Sequence, residues 1–234
     1  VSTSVTTLYV VRHGQVAKAR THSYNGQLDV PLSALGSKQM KCLAEWAVSS
    51  GVNAIYCSDL RRAVEGAEAV GRRCTLPVSV TPLLREKHFG QWEGLTYEEA
   101  EQRFPVEWRA WLADPSDARP PGGETYREVE ARVLPCVRRM VLDHPGGTVL
   151  ILAHGGINRV ILCRALGLSL HRVFRIEQDY ACVNRIDCTA GDRWHVVSIN
   201  SALPGDPLLG AVGESQGGAA GHANGQGNHA GKTG

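Results

Sequence analysis

The sequence lacks any long apolar run. Its longest aliphatic stretch, Val149-Leu150-Ile151-Leu152-Ala153, falls far short of the roughly 20 residues that a helix needs to cross a bilayer. No membrane partner is therefore expected. The N-terminus has no charged segment ahead of an apolar stretch, which argues against a secretory signal. The first residue is Val1, which leaves room for a missing initiator or short leader. Charge of one sign is lacking too: 25 Lys and Arg face 23 Asp and Glu, for a formal net charge of +2. Without a basic field the chain has nothing to steer it onto nucleic acid, and only a local cationic pocket could attract an anion. Cys42, Cys57, Cys74, Cys136, Cys163, Cys182 and Cys188 are odd in number and include no Cys-x-x-Cys pair. That argues against a disulfide framework and against a zinc site. Buried reduced thiols in a cytoplasmic protein are the expectation. No repeat of solenoid length is present.

What is there suits a folded enzyme-sized unit. With 234 residues, 43% hydrophobic and 21% charged, the chain is too apolar to be disordered throughout. Its length suits one sizeable domain with a tail. The composition changes near Leu203: from Ser201 to Gly234 there are no aromatics, few charges and many Gly, Ala and Asn. Such a segment cannot bury enough apolar surface to offset its ordering entropy. We therefore expect a domain over residues 1–200 and a Gly-rich disordered tail over 201–234, with His222 and His229 solvated.

Within the domain, short apolar runs alternate with helical patterns. Strands are expected at Thr7–Val11, Asn53–Cys57, Pro77–Thr81, Thr148–Ala153, Cys182–Asp187 and Trp194–Ile199. Helices are expected at Ser33–Ser49, Arg61–Cys74, Tyr97–Phe104, Glu107–Leu112, Tyr126–His144 and Ile157–Leu166. Unbroken apolar strands separated by helices indicate a mostly parallel sheet covered on both faces. The expected fold class is α/β, a three-layer sandwich.

Two distant strand ends match. Leu8-Tyr9-Val10-Val11 runs into Arg12-His13-Gly14, and Leu150-Ile151-Leu152-Ala153 runs into His154-Gly155-Gly156. Ligands of open α/β sheets bind beyond the carboxyl ends of the strands, so His13 and His154 should share one edge. A third strand leads into Ser58-Asp59-Leu60-Arg61-Arg62 and then a helix, with Ser58 or Asp59 as its expected N-cap. An arginine in the first turn of a helix opposes the helix dipole unless an anion sits there as well. Together with Arg12 this makes a pocket of guanidiniums, imidazoles and helix N–H groups, whose natural guest is a phosphoryl group. Singly, each residue would read as a solvated loop residue or surface charge. His22, His88, His144, His171 and His195 have no such context and keep that plain reading.

These residues belong to an ordered set of motifs. They are RHG at Arg12–Gly14, GQLDVPLSALG at Gly26–Gly36, SDLRRA at Ser58–Ala63, LREKHFGQWEGLT at Leu84–Thr96, PGGET at Pro121–Thr125 and LAHGGINR at Leu152–Arg159. The set resembles the histidine phosphatase superfamily, with its phosphoglycerate-mutase-like fold, over residues 7–199. In look it is nearest to phosphatases of the α-ribazole-phosphatase and broad-specificity types. The resemblance implies that His13 is the phosphorylated nucleophile, that Arg12, Arg62 and His154 hold the phosphate, and that Glu86 is the general acid. Asn25, Gly26 and Gly155 would contact the substrate or its phosphate, while Glu93 reads as structural. Gln15, Val16, Ala19, Asp59 and Gly66 depart from the family pattern without removing a catalytic group.

The expected activity is metal-independent hydrolysis of a small phosphorylated metabolite through phosphohistidine, α-ribazole phosphate being one candidate. No cofactor and no metal are implied. Phosphoglycerate-mutase-type transfer is the alternative. Mutases of the family carry an adjacent arginine pair in the insert that is here Thr96–Asp117, where Arg103 and Arg109 stand singly. A non-catalytic phospho-ligand binding module is a weaker reading, because such a protein would be expected to lose the nucleophile or the acid. Trp108 and Trp111 are expected to pack a short helix onto the body. Oligomeric state is left open, a homodimer among the options.

Overall fold

The computed structural model describes residues 4–17, 23–189 and 192–206. Six strands form one sheet: β1 (Thr6–Arg12), β2 (Ala54–Ser58), β3 (Val78–Thr81), β4 (Thr148–Ala153), β5 (Val183–Thr189) and β6 (Arg193–Ser201). Their spatial order is β3-β2-β4-β1-β5-β6. The pairs β2–β3, β2–β4 and β1–β4 are parallel, whereas β1–β5 and β5–β6 are antiparallel. The expected sandwich is present, with a sheet parallel on one side and closed on the other by a short-looped hairpin. Every expected strand and helix exists, with ends shifted by a few residues at most.

The helices are α1 (Ala34–Ser49), α2 (Arg61–Cys74), α3 (Tyr97–Arg103), α4 (Pro105–Ala113), α5 (Tyr126–Asp143) and α6 (Gly155–Leu166). Side chains of a strand alternate between its faces, and both faces here are covered. Leu8, Val10, Val149 and Ile151 pack with Val133, Val137, Val160 and Ile161 of α5 and α6. Val11, Leu150, Leu152 and Ile55 pack with Met40, Leu43, Ala63 and Ala67 of α1 and α2. Double coverage is why these strands read as continuous apolar runs.

Two expectations need correction. The hydroxyl of Ser58 accepts from Leu60 N, but α2 has Leu60 as N-cap with no side-chain cap of its own. Asp59 is instead held by both forks of Arg85. The first helical N–H, that of Arg61, donates to the distant Asp29 Oδ1 at 2.7 Å. The second correction concerns the tail. Ser201 ends β6, Leu203 is buried, and Gly205 O accepts from Cys42 Sγ. Residues 201–206 thus pack on the body, because Leu203 finds an apolar cluster there. The rest of the expected tail, with His222 and His229, lies outside the described residues, as do Ala19 and His22. All seven cysteines are free thiols. Among the described residues no helix is long and apolar enough to cross a membrane.

The loop after β1 is locked to α1 through close backbone approach. Ser33 caps α1, accepting from Gly36 N, and donates to Gln15 Oε1 at 2.8 Å. Gln15 N donates to Gln39 Oε1. This explains Gln15, one of the departures noted above. A Cβ on Gly36 would stand 2.0 Å from Gln15 O, and one on Gly14 would stand 2.5 Å from Gly36 O. Backbone cannot yield as a side-chain tip can. Gly36→Ala is expected to cost about 2 kcal/mol by overpacking, lowering Tm by about 4–8 °C at this chain size. An unchanged thermal melt would show that the approach is not needed.

Candidate functional site

Parallel neighbours β2, β4 and β1 end on the same edge, and each delivers its residue there. His13 N donates to Ala153 O at 3.1 Å, so the strand ladder carries on to the point where both histidines leave it. Their rings stand 5.1 Å apart, centroid to centroid. Arg62 enters from the first turn of α2 and is 1% exposed. Its Nε donates to His13 Nε2 at 3.2 Å, while its two terminal nitrogens donate to Leu28 O and Gly26 O at 2.7 and 2.6 Å. Arg61 points outward, paired with Glu65.

The tautomer of His13 follows from its partners. Gly14 O can only accept, so the 2.7 Å contact with His13 Nδ1 places the proton on Nδ1. Nε2 is left with the lone pair that Arg62 contacts. Burial, then the charges of Arg62 and Arg12, hold this imidazole well below its ordinary pKa of 6.5, with the Gly14 carbonyl pulling the other way. His154 is fully buried and held low by the same burial and by Arg62. Both its ring nitrogens are buried without a hydrogen-bond partner. A neutral imidazole carries one N–H and one lone pair, so one of these nitrogens is a donor able to serve an acceptor oxygen.

Arg12 lies over the Tyr180 ring at 4.1 Å and donates to Gln178 O at 2.5 Å; its Nε is buried with no partner. Glu86 follows β3. One carboxylate oxygen accepts from Lys87 N at 2.8 Å, and the other accepts from Gly156 N in the first turn of α6 at 3.0 Å. A Cβ on Gly156 would stand 2.4 Å from Glu86 Oε1, so the glycine is what admits the carboxylate to the helix end. Asn25 and Gly26 lie on a loop that Glu93 pins down, its Oε1 accepting from Gln27 N and Phe89 N. That is the structural role expected of Glu93.

All eight expected site residues except His154 line one cavity of about 100 Å³: Arg12, His13, Asn25, Gly26, Arg62, Glu86 and Gly155. His154 lies beneath, against His13. The sequence did not reveal the aromatic wall of this cavity, made by Tyr24, Phe89, Tyr97, Trp111, Tyr126 and Phe174. Trp108 and Trp111 are both buried and pack α4 onto the body as expected, but Trp111 also faces the cavity. Arg159 was missed as well, although it lies one helical turn beyond Gly155, a spacing that puts both on one face. His88, His144, His171 and His195 are not among the cavity residues. Among the described residues no group of three or more His, Cys, Asp or Glu is arranged to hold a metal.

The chain belongs to the histidine phosphatase superfamily (branch 1), whose pattern it matches over residues 8–202. It is 37% identical over 173 residues to a glucosyl-3-phosphoglycerate phosphatase of Mycolicibacterium vanbaalenii, covering 70% of this chain and 75% of that one. It is 34% identical over 180 residues to the bifunctional protein Rv2228c of Mycobacterium tuberculosis, covering 76% of this chain but about half, 49%, of that protein's length. The solved α-ribazole phosphatase of Shigella flexneri superposes with a TM-score of 0.76 at 27% identity, over 85% of this chain and 98% of that one.

Lys87, beside Glu86, is fully buried. Its ammonium donates to Glu124 O and sits 5.1, 5.0 and 5.5 Å from the Phe89, Trp111 and Tyr126 ring centres. Burial pushes its pKa down to about 7. The folded chain thus releases this proton near 7 and the unfolded chain near 10.5. Between those values the unfolded chain holds more protons, so this group's contribution to stability rises with pH. The Tm of Lys87→Met minus that of the parent should therefore be more positive at about pH 6 than at about pH 9.5; a difference independent of pH would contradict this. For the histidines, ¹⁵N NMR at about pH 6 should find both site imidazoles neutral, with His13 protonated at Nδ1. An imidazolium signal from either would refute the electrostatics described above.

Proposed function

We propose that the chain is a phosphomonoester hydrolase working through phosphohistidine on a small phosphorylated metabolite. The observation that carries this reading is the lone pair on His13 Nε2. It is aimed by the Nδ1–Gly14 hydrogen bond and kept neutral by burial and two guanidiniums, at the mouth of a cavity that holds Glu86. In the first step Nε2 forms a bond to phosphorus as the ester oxygen leaves with its electron pair and takes a proton from Glu86. In the second step water attacks phosphorus and gives a proton to the Glu86 carboxylate. The Nε2–P bond breaks, releasing phosphate and free His13. Arg12, Arg62 and the neutral His154, with an N–H toward the oxygens, stabilise the charge spread over the PO₃ group in transit. Gly155 N–H, Asn25 and Gly26 border the same seat. These cationic groups supply the charge neutralisation themselves, so turnover is expected to survive a chelator.

Hydrolysis is favoured over mutase transfer because Arg103 and Arg109 are exposed and outside the cavity lining. A transferase needs a cationic grip that keeps its product for a second attack. Glucosyl-3-phosphoglycerate and α-ribazole phosphate, named for the relatives above, are two candidate substrates, and the aromatic wall suits a ring-bearing leaving group. A non-catalytic binding role would give no reason for Glu86 to line the same cavity as His13.

His13→Ala should lower hydrolysis of p-nitrophenyl phosphate by at least about 10³-fold while leaving the melting curve intact. Rapid-quench mass analysis of the parent should find one added phosphoryl group, absent in the variant. Undiminished turnover by His13→Ala would sink the nucleophile assignment.

A further inference from the structure

Residues 177–182, just ahead of β5, close on Arg12 and His13 from one side. Gln178 O accepts from Arg12 Nη1 at 2.5 Å, and the Tyr180 ring lies against the Arg12 guanidinium at 4.1 Å. Cys182 O accepts from Arg12 N at 3.2 Å, and Ala181 N donates to His13 O at 3.1 Å. The guanidinium is thus held on one edge and on one face, while its buried Nε has no protein partner. A long side chain held this way gives up its rotamer freedom before a ligand arrives, which lowers the cost of binding.

The turn that holds it is fixed from beneath. Gln178 is 1% exposed, and Asn158 and Asn184 are fully buried. Gln178 and Asn184 form a reciprocal amide pair. Asn184 Nδ2 donates to Gln178 Oε1 at 2.9 Å, and Gln178 Nε2 donates to Asn184 Oδ1 at 2.8 Å. Asn184 is set in turn by backbone, donating to Val10 O and accepting from Asn200 N, each at 2.8 Å. These two backbone bonds decide which end of each paired amide is the oxygen. The Asn158 amide stands 3.0 Å from Gln178 Oε1, 3.1 Å from His154 O and 3.2 Å from Arg12 N. On the outer side Asp179 and Asn200 make a second reciprocal pair. Within this frame Ala181 is kept at φ 61°, a left-handed conformation that a residue with a Cβ adopts only when its surroundings impose it. Three amides in a core cost more desolvation than apolar side chains of like size. What they add is a single place for the turn.

We infer that Gln178 is a positioning residue for the phosphoryl seat: its side chain, locked to Asn184 and Asn158, holds the turn whose carbonyl and Tyr180 ring aim Arg12 at the phosphate. This rests on the hydrolase reading for the role of Arg12 and deepens it. If the amides served only to fasten β5 to β1 and α6, their loss would lower stability and leave anion affinity unchanged.

The test reads orthovanadate inhibition and p-nitrophenyl phosphate turnover, well below the Tm of each variant. Gln178→Met should weaken vanadate inhibition and lower kcat/KM, each by about tenfold or more. In an Arg12→Ala background the same substitution should change kcat/KM by less than about twofold, because no guanidinium is left to aim. A loss repeated in full in that background overturns the inference, as does parent-like inhibition and turnover in Gln178→Met. NMR of the ligand-free parent needs no Gln178 variant to fold. The Arg12 guanidinium, assigned by its absence in Arg12→Lys, should show two separate Nη signals, the mark of a held group. A single averaged signal, the mark of free rotation, overturns the inference as well. A parent that binds vanadate but leaves p-nitrophenyl phosphate intact would instead strike the hydrolase reading, with the aiming of Arg12 still standing.

Discussion

A guanidinium taken out of water must have its donors satisfied, or the fold loses several kcal/mol. Arg62 meets that condition by donating to three acceptors in two places: the His13 ring, and the carbonyls of Gly26 and Leu28 on one loop. The bonds therefore do more than hold Arg62. They tie the loop that walls the cavity to the helix that floors it, and they hold a positive charge against His13. The same charge depresses His154. One buried cation thus fixes the loop and adds to the burial that keeps both imidazoles neutral.

The opposite sign is placed with similar economy. Glu86 is held by two backbone N–H donors, one of them at the start of α6, where the helix dipole favours a carboxylate. Its neighbour Lys87 turns the other way, into an aromatic box, and so does not neutralise the carboxylate by a direct ion pair.

The elements were legible because hydrophobic patterning and punctuation agreed: Ser33 at the start of α1, and β4 as an unbroken apolar run. The cluster of Arg12, His13, Arg62 and His154 was legible because its residues stand at or just after strand ends, where topology alone brings them together. What stayed hidden came from positions that no local rule singles out. Asp29 caps α2 from 32 residues away, a contact that exists only after the loop is folded, so the nearer Ser58 and Asp59 looked like the cap. Tyr24, Tyr97, Phe174 and Tyr180 converge from four separate loops and short helices. Their aromatic identity signalled burial without saying beside what. Arg159 was the exception, since its spacing from Gly155 on one helix was visible from the start.

The two imidazoles follow neighbouring strands whose last paired residues are Arg12 and Ala153. Their 5.1 Å separation is close to the roughly 4.8 Å at which adjacent strands hydrogen-bond. The spacing of the two backbones that carry these rings is accordingly set by a ruler common to every sheet, peptide geometry. The insert bearing α3 and α4 obeys no such ruler. Substitutions in that insert can therefore reshape the cavity wall while the backbones bearing the two histidines keep their fixed gauge.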